Sequence, residues 1–133
     1  MPALTKLVAA SAAEFSSHLA TALASGAPTF ALFTGAALPT GESWCPDCTT
    51  AKPVVHAAFE AAARAGDVAL IEVPLVREEY RGNAEHWARK LAGVRLQRIP
   101  TLMKWGAAAK VAELVEGECA EEAKVRELVL GEQ

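Results

Sequence analysis

Trp44-Cys45-Pro46-Asp47-Cys48 is the stretch on which the reading of this chain turns. Its two cysteines stand two residues apart, after an irregular run (35–43) and before a helical pattern with Val55, Phe59 and Ala62 on one face. Pro46 suits the first helical position, where its missing N–H costs nothing and its fixed φ matches the helix. Cys45 then falls at the cap, where unpaired N–H groups and the positive end of the helix dipole favour thiolate over thiol. Cys45 is the expected nucleophile. Cys48, one turn further in, is expected to be more buried, to hold its proton longer, and to close on Cys45 so that a substrate thiol leaves a mixed disulfide.

Working outward, residues 29–34 and 68–73 are continuous apolar runs of strand length, as expected of strands covered on both faces. Residues 4–9 read as a short strand. Ser11 and Glu14, spaced to satisfy each other's free backbone donors, open a helix with Phe15, Leu19 and Leu23 inward and Ser25-Gly26 as its stop. Residues 74–82 read as a polar loop, followed by a short helix capped by Asn83, pairing Trp87 with Leu91 and ending at Gly93. Residues 101–105 and 110–115 flank Gly106 as a hairpin, and Glu121-Glu122 open a last helix with Val125, Leu128 and Val129 inward. The expected order, βαβαβαββα, is α/β: a five-stranded mixed sheet, parallel in its first strands and antiparallel in its last, flanked by four helices.

Composition sets the class. The 133 residues fit a single domain (1–133), and although 29 of the apolar residues are alanine, enough larger side chains remain for one core. Thirteen basic residues against sixteen acidic ones give a net charge of −3 with no basic stripe, so nucleic acid is not the expected partner. No run approaches the roughly 18 apolar residues of a membrane span, and the apolar residues after Lys6 read as a strand rather than a signal peptide, so a soluble, non-membrane protein is expected. Three cysteines with one close pair fit a reducing compartment, the cytoplasm, better than a secreted disulfide framework.

A second element is Ile99-Pro100-Thr101, just before a strand. The pattern alone leaves the proline cis or trans; cis would aim the Ile99 backbone toward the dithiol, free to pair with a substrate strand.

These residues resemble the thioredoxin superfamily, and within it the small branch of thioredoxin domain-containing protein 17 and Clot. The resemblance runs end to end and is carried by Phe33-Thr34-Gly35, Ser43-Trp44-Cys45-Pro46-Asp47-Cys48, Pro53-Val54-Val55, Pro100-Thr101-Leu102-Met103-Lys104-Trp105-Gly106 and Glu118-Cys119. It implies a thioredoxin fold, a cis Pro100, and a dithiol-disulfide oxidoreductase with no bound cofactor, drawing electrons from NADPH through thioredoxin reductase. Its implied substrates are small disulfides such as cystine and selected oxidised or nitrosylated protein thiols. Two segments, 35–43 and 74–83, are longer than ordinary thioredoxin needs, as expected of loops that narrow access to the dithiol. Ordinary thioredoxin also buries an aspartate in its central strand, where this chain has Leu32; Asp47, beside both thiols, is the candidate for part of that role.

The expected site therefore comprises Cys45 as nucleophile, Cys48 as resolving thiol and Asp47 as tuning group, with Trp44, Pro46, Ile99 and Pro100 as substrate surface and no metal. A monomer is expected. Half of a zinc site is disfavoured because no second C-x-x-C or nearby C-x-x-H completes four ligands. Cys119 reads as an unreactive thiol, and His18, His56 and His86 as packed or solvated. The alternative to an enzyme is a redox-gated binding module with little turnover. Glutathione use is weaker, since no Gly-Gly-x-Asp element follows Thr101.

Overall fold

Strand β2 (Thr29–Gly35) is buried along its whole length and forms the centre of the sheet in a computed structural model that describes residues 3–131. The sheet order is β1-β3-β2-β4-β5, with β1 (Leu4–Val8), β3 (Val68–Leu75), β4 (Thr101–Trp105) and β5 (Lys110–Val115) around it. β1 and β2 both run parallel to β3, while β4 is antiparallel to β2 and β5 to β4. The mixed sheet and its change of direction are as expected.

Alternation along β2 builds two cores. Phe30 and Leu32 face α2 (Pro46–Ala65), meeting Ala51, Val55, Ala58 and Phe59 together with Val125 of α5 (Glu122–Leu130). Phe30 and Phe59 meet edge to face at 5.1 Å, a geometry aromatic quadrupoles favour. Ala31 and Phe33 face the other side, where α1 (Ala12–Ala24) contributes buried Phe15 and half-buried Leu19 and Leu23. Ser11 caps α1 by accepting from the Glu14 N–H, but the Glu14 carboxylate accepts from Ala10 N–H rather than Ser11 N–H, closing the cap one residue upstream.

The segment between β3 and β4 differs from expectation. β3 runs on through Pro74 to Leu75. β1 ends opposite Glu72, so Pro74 lies where β3 has a neighbour on one side only and its missing N–H is tolerated. A one-turn helix α3 (Arg77–Tyr80) then replaces part of the expected loop. The next helix, α4 (Trp87–Lys90), is capped not by Asn83 but by His86, whose Nδ1 accepts from Ala88 N–H at 3.1 Å, and it stops short of Gly93. Asn83 instead accepts from Glu85 N–H in a local turn. The flanking helices are thus α1, α2 and α5, the two single turns α3 and α4, and an unexpected 3-10 turn, Glu116–Ala120, before α5.

Candidate active site

The carboxyl end of β2 delivers the chain to the site, as open α/β sheets do. Residues 36–44 leave and return as a pinned loop. Ala36 N–H donates to Leu75 O, Leu38 N–H to Glu42 O, and Trp44 N–H to Ala36 O. Gly41, at φ +94, takes a backbone conformation that suits glycine. α2 then begins with Cys45 in extended geometry as its cap: the Cys45 sulfur accepts from Cys48 N–H at 3.3 Å, and Pro46 occupies the first turn.

Both cysteines are reduced and buried, Cys45 exposing 7% of its surface and Cys48 none. The Cys48 sulfur accepts from Gly35 N–H at 3.4 Å. Burial pushes the Cys48 thiol far above its ordinary range, and a hydrogen bond to Cys45 helps keep the proton on it; Gly35 N–H and the Ser43 hydroxyl pull the other way. Asp47 is exposed in the first turn of α2.

Ser43 joins the end of β2 to the cap of α2. Its hydroxyl donates to Gly35 O at 2.7 Å and accepts from Cys45 N–H at 3.1 Å. Trp44 is anchored beside it: the indole N–H donates to Leu75 O at 2.6 Å, and the ring lies 6.5 Å from that of Tyr80. The Arg89 guanidinium stacks 3.9 Å from the Tyr80 ring and donates to the carbonyls of Tyr80, Asn83 and Gln97, binding the β3-to-β4 segment into the wall behind Trp44.

The Ile99-Pro100 peptide bond is cis. Thr101 of β4 pairs with Phe33 of β2, which puts Ile99 and Pro100 at the same end of the sheet as the dithiol. Pro100 is buried, and its carbonyl accepts from Glu116 N–H and from the Cys119 thiol, the latter at 3.5 Å. The Cys119 thiol also donates to Leu114 O, and burial pushes its pKa up to about 12, in keeping with an unreactive group.

Of the residues expected at the site, the topology gathers Trp44, Cys45, Pro46, Asp47, Cys48, Ile99 and Pro100 at one end of the sheet. Ser43, Tyr80 and Arg89 were not singled out from the sequence. Ser43 stood only as a flank of the cysteine motif, and the other two sit in a segment without apolar periodicity. Among the histidines, His56 pairs with Glu72 at 2.7 Å on the α2 side of the sheet, and this hydrogen bond holds the Glu72 carboxyl below its ordinary range. Among the described residues, no group of three or more His, Cys, Asp or Glu is placed to hold a metal ion. No helix among them is long and apolar enough to cross a membrane.

Residues 8–131 match the family model described as thioredoxin domain-containing protein 17-like, thioredoxin domain. The chain belongs to this family. It is 33% identical over 102 residues to human thioredoxin domain-containing protein 17, covering 77% of each chain. It is also 40% identical over 74 residues to an acireductone dioxygenase of Leishmania braziliensis, covering 53% of this chain but spanning only 22% of that protein's length. Among solved structures, thioredoxin O2 from Arabidopsis thaliana, in its oxidized state, superposes with a TM-score of 0.61 at 25% identity, covering 94% of both chains. The fold is the thioredoxin fold, and membership of the thioredoxin domain-containing protein 17-like family is consistent with redox chemistry at a dithiol.

Proposed function

We propose that this chain is a dithiol-disulfide oxidoreductase acting on cystine-like small disulfides and on selected oxidised or nitrosylated protein thiols. The observation that carries the reading is the reduced pair at the start of α2, with Cys45 at the cap and Cys48 buried behind it, its proton held by Cys45. The Cys45 thiolate attacks one sulfur of a substrate disulfide, forming a mixed disulfide and expelling the other sulfur as a thiolate, which takes up a proton. Cys48 loses its proton, attacks Cys45, breaks the mixed disulfide and forms the Cys45-Cys48 bond as the second substrate thiol leaves and is protonated. Two electrons have passed from the dithiol to the substrate. NADPH restores them through a thioredoxin reductase, with no cofactor resident in this chain.

In this reading Trp44, Pro46, Ile99 and Pro100 form the substrate surface, and Ile99 offers backbone groups to an extended substrate. Asp47, exposed, contributes charge to the field around the pair rather than a buried base. The protein works as a monomer in the cytoplasm, a compartment supported by a count of three cysteines with one close pair rather than a disulfide framework.

The test is NADPH consumption with thioredoxin reductase and cystine. Sustained turnover that Cys45→Ser abolishes, with a trapped mixed disulfide on Cys48→Ser, is the expected result. A reversible Cys45-Cys48 disulfide without turnover on cystine, insulin or nitrosylated thiols would instead make the chain a redox-gated binding module.

A further inference from the structure

Resolution of a mixed disulfide demands that Cys48, the more deeply buried thiol, become a thiolate at the moment of attack. Cys48 exposes none of its surface, and Asp47 points no buried carboxylate at it, so the polar groups lining its immediate surroundings decide whether that state is reached. Two of these are backbone or sulfur: Gly35 N–H and Cys45. The third is the buried hydroxyl of Ser43, which lies close enough to pull the Cys48 pKa down and is fixed by bonds to Gly35 O and Cys45 N–H. A hydroxyl is both donor and acceptor and turns about one bond, so its hydrogen is the one polar group here free to change partner without moving the backbone.

We propose that Ser43 is a catalytic residue for the resolving step: its hydroxyl hydrogen leaves Gly35 O and turns onto the Cys48 sulfur as that sulfur gives up its proton. The inference rests on the disulfide-exchange reading above and adds a group that makes the second half of it possible. Cys45 N–H, still donating to the Ser43 oxygen, holds the hydroxyl in place while the hydrogen swings. No electrons pass through Ser43. The proton leaving Cys48 is balanced by the one taken up by the departing substrate thiolate, and the new Cys45-Cys48 bond replaces the broken mixed disulfide. Gly35 is the partner the arrangement requires, because a Cβ there would come within 2.8 Å of the Ser43 oxygen.

The experiment uses the full chain and 5,5′-dithiobis(2-nitrobenzoate), needing neither reductase nor natural substrate. Attack by Cys45 releases a first thionitrobenzoate, and attack by Cys48 on the resulting mixed disulfide releases a second, both read by absorbance in stopped flow across pH. Loss of a hydrogen bond worth one pKa unit lowers the Cys48 thiolate fraction about tenfold, and the greater nucleophilicity of the more basic thiolate returns about threefold. Ser43→Ala is therefore expected to lower the ratio of second to first rate constant about threefold and to shift the second phase's pH profile upward by about one unit. Ser43→Thr, which keeps the hydroxyl, should recover both. Near-UV circular dichroism reports whether each variant is native; if Ser43→Ala is not, Ser43→Gly, which also removes the hydroxyl and leaves Gly35 untouched, carries the same expectation. An unchanged ratio and profile, an equal slowing of both phases, or Thr behaving like Ala would each overturn the role. Two normal phases in the wild type without reductase-coupled turnover would sink the reductase reading and leave this one standing.

Discussion

Replacing Gly35 by alanine tests how tightly the end of β2 is locked to the loop. The φ of Gly35 is not in the left-handed region, so the backbone itself accepts alanine and any cost is steric. The added Cβ would lie 2.8 Å from Ser43 Oγ, 2.8 Å from Trp44 Cε2 and 2.9 Å from Trp44 Nε1, closer than carbon tolerates. Neither neighbour has room to yield. Ser43 is held by bonds to Gly35 O and Cys45 N–H, and the Trp44 indole by its 2.6 Å bond to Leu75 O. Overpacking of this kind costs about 1–3 kcal/mol, and yielding by Trp44 would forfeit a hydrogen bond worth about 1 kcal/mol. An unfolding entropy near 2.1 cal/mol/K per residue over 133 residues makes 2 kcal/mol about 7 °C in Tm. The assay is thermal unfolding by circular dichroism beside Gly66→Ala, where a Cβ meets nothing within 4 Å and the expected change is within about 0.5 kcal/mol. A Gly35→Ala midpoint within about 2 °C of wild type would refute the argument that Ser43 and Trp44 are locked in place.

Three further outcomes are expected. Phe59→Ala, at a fully buried position edge-on to Phe30, should lose about 3–5 kcal/mol, read as a lower urea midpoint at unchanged slope; a loss under about 1 kcal/mol would contradict the core packing. Glu72 is held below its ordinary pKa chiefly by the His56 hydrogen bond, so its stabilisation is complete above the unfolded carboxylate range and is lost as pH falls through the folded value. The Tm gap between wild type and Glu72→Gln should accordingly be widest near neutral pH and close in acid, and a gap independent of pH would exclude this linkage. Finally, with 5,5′-dithiobis(2-nitrobenzoate) the native protein should release two thionitrobenzoates, the second because buried Cys48 closes on Cys45, while Cys119, buried and donating to Leu114 O with no thiol partner to close on, should react only in denaturant; a third equivalent from the native protein would show the 3-10 turn to be open.

How far the sequence reaches is set by the range of the interactions involved. β2 and β3 are legible because a strand covered on both faces needs an unbroken apolar run, and α1 and α2 because their apolar stripes recur at helical spacing. Residues 76–97 offer no such period. Their path is set by Arg89 reaching three carbonyls and stacking on Tyr80, and by His86 outcompeting Asn83 as a cap, none of which leaves a local pattern. The same division runs through the site. Cys45, Pro46 and Cys48 declare themselves because cap, first-turn proline and second thiol are fixed by spacing within one helical turn. Ser43 does not, since its partner Gly35 lies across a loop, and the anchor of Trp44 is Leu75, 31 residues away.

That anchor bears on how the proposed substrate surface works. Leu75 O, at the buried end of β3, accepts both Ala36 N–H, where the loop leaves β2, and the Trp44 indole N–H, where the loop returns. One carbonyl thus ties the exit of the central strand, the end of its neighbour and the side chain beside the dithiol. Releasing Trp44 would break a short bond and uncover Tyr80, which is buried beneath it and stacked under Arg89. A mobile lid calls for few buried contacts, whereas this wall stands on buried Tyr80 and on the short, part-buried bond from Trp44 to Leu75 O. Access to Cys45, only 7% exposed, is then governed by the fixed shape of the rim. Substrates whose sulfur projects from a narrow or extended segment fit such a rim better than disulfides recessed in a broad surface. The narrow substrate range proposed here follows from that rigidity, and loosening the Leu75 anchor by Trp44→Phe should broaden the range of disulfides attacked, measured as initial rates on cystine against insulin; an unchanged ratio would separate selectivity from the anchor.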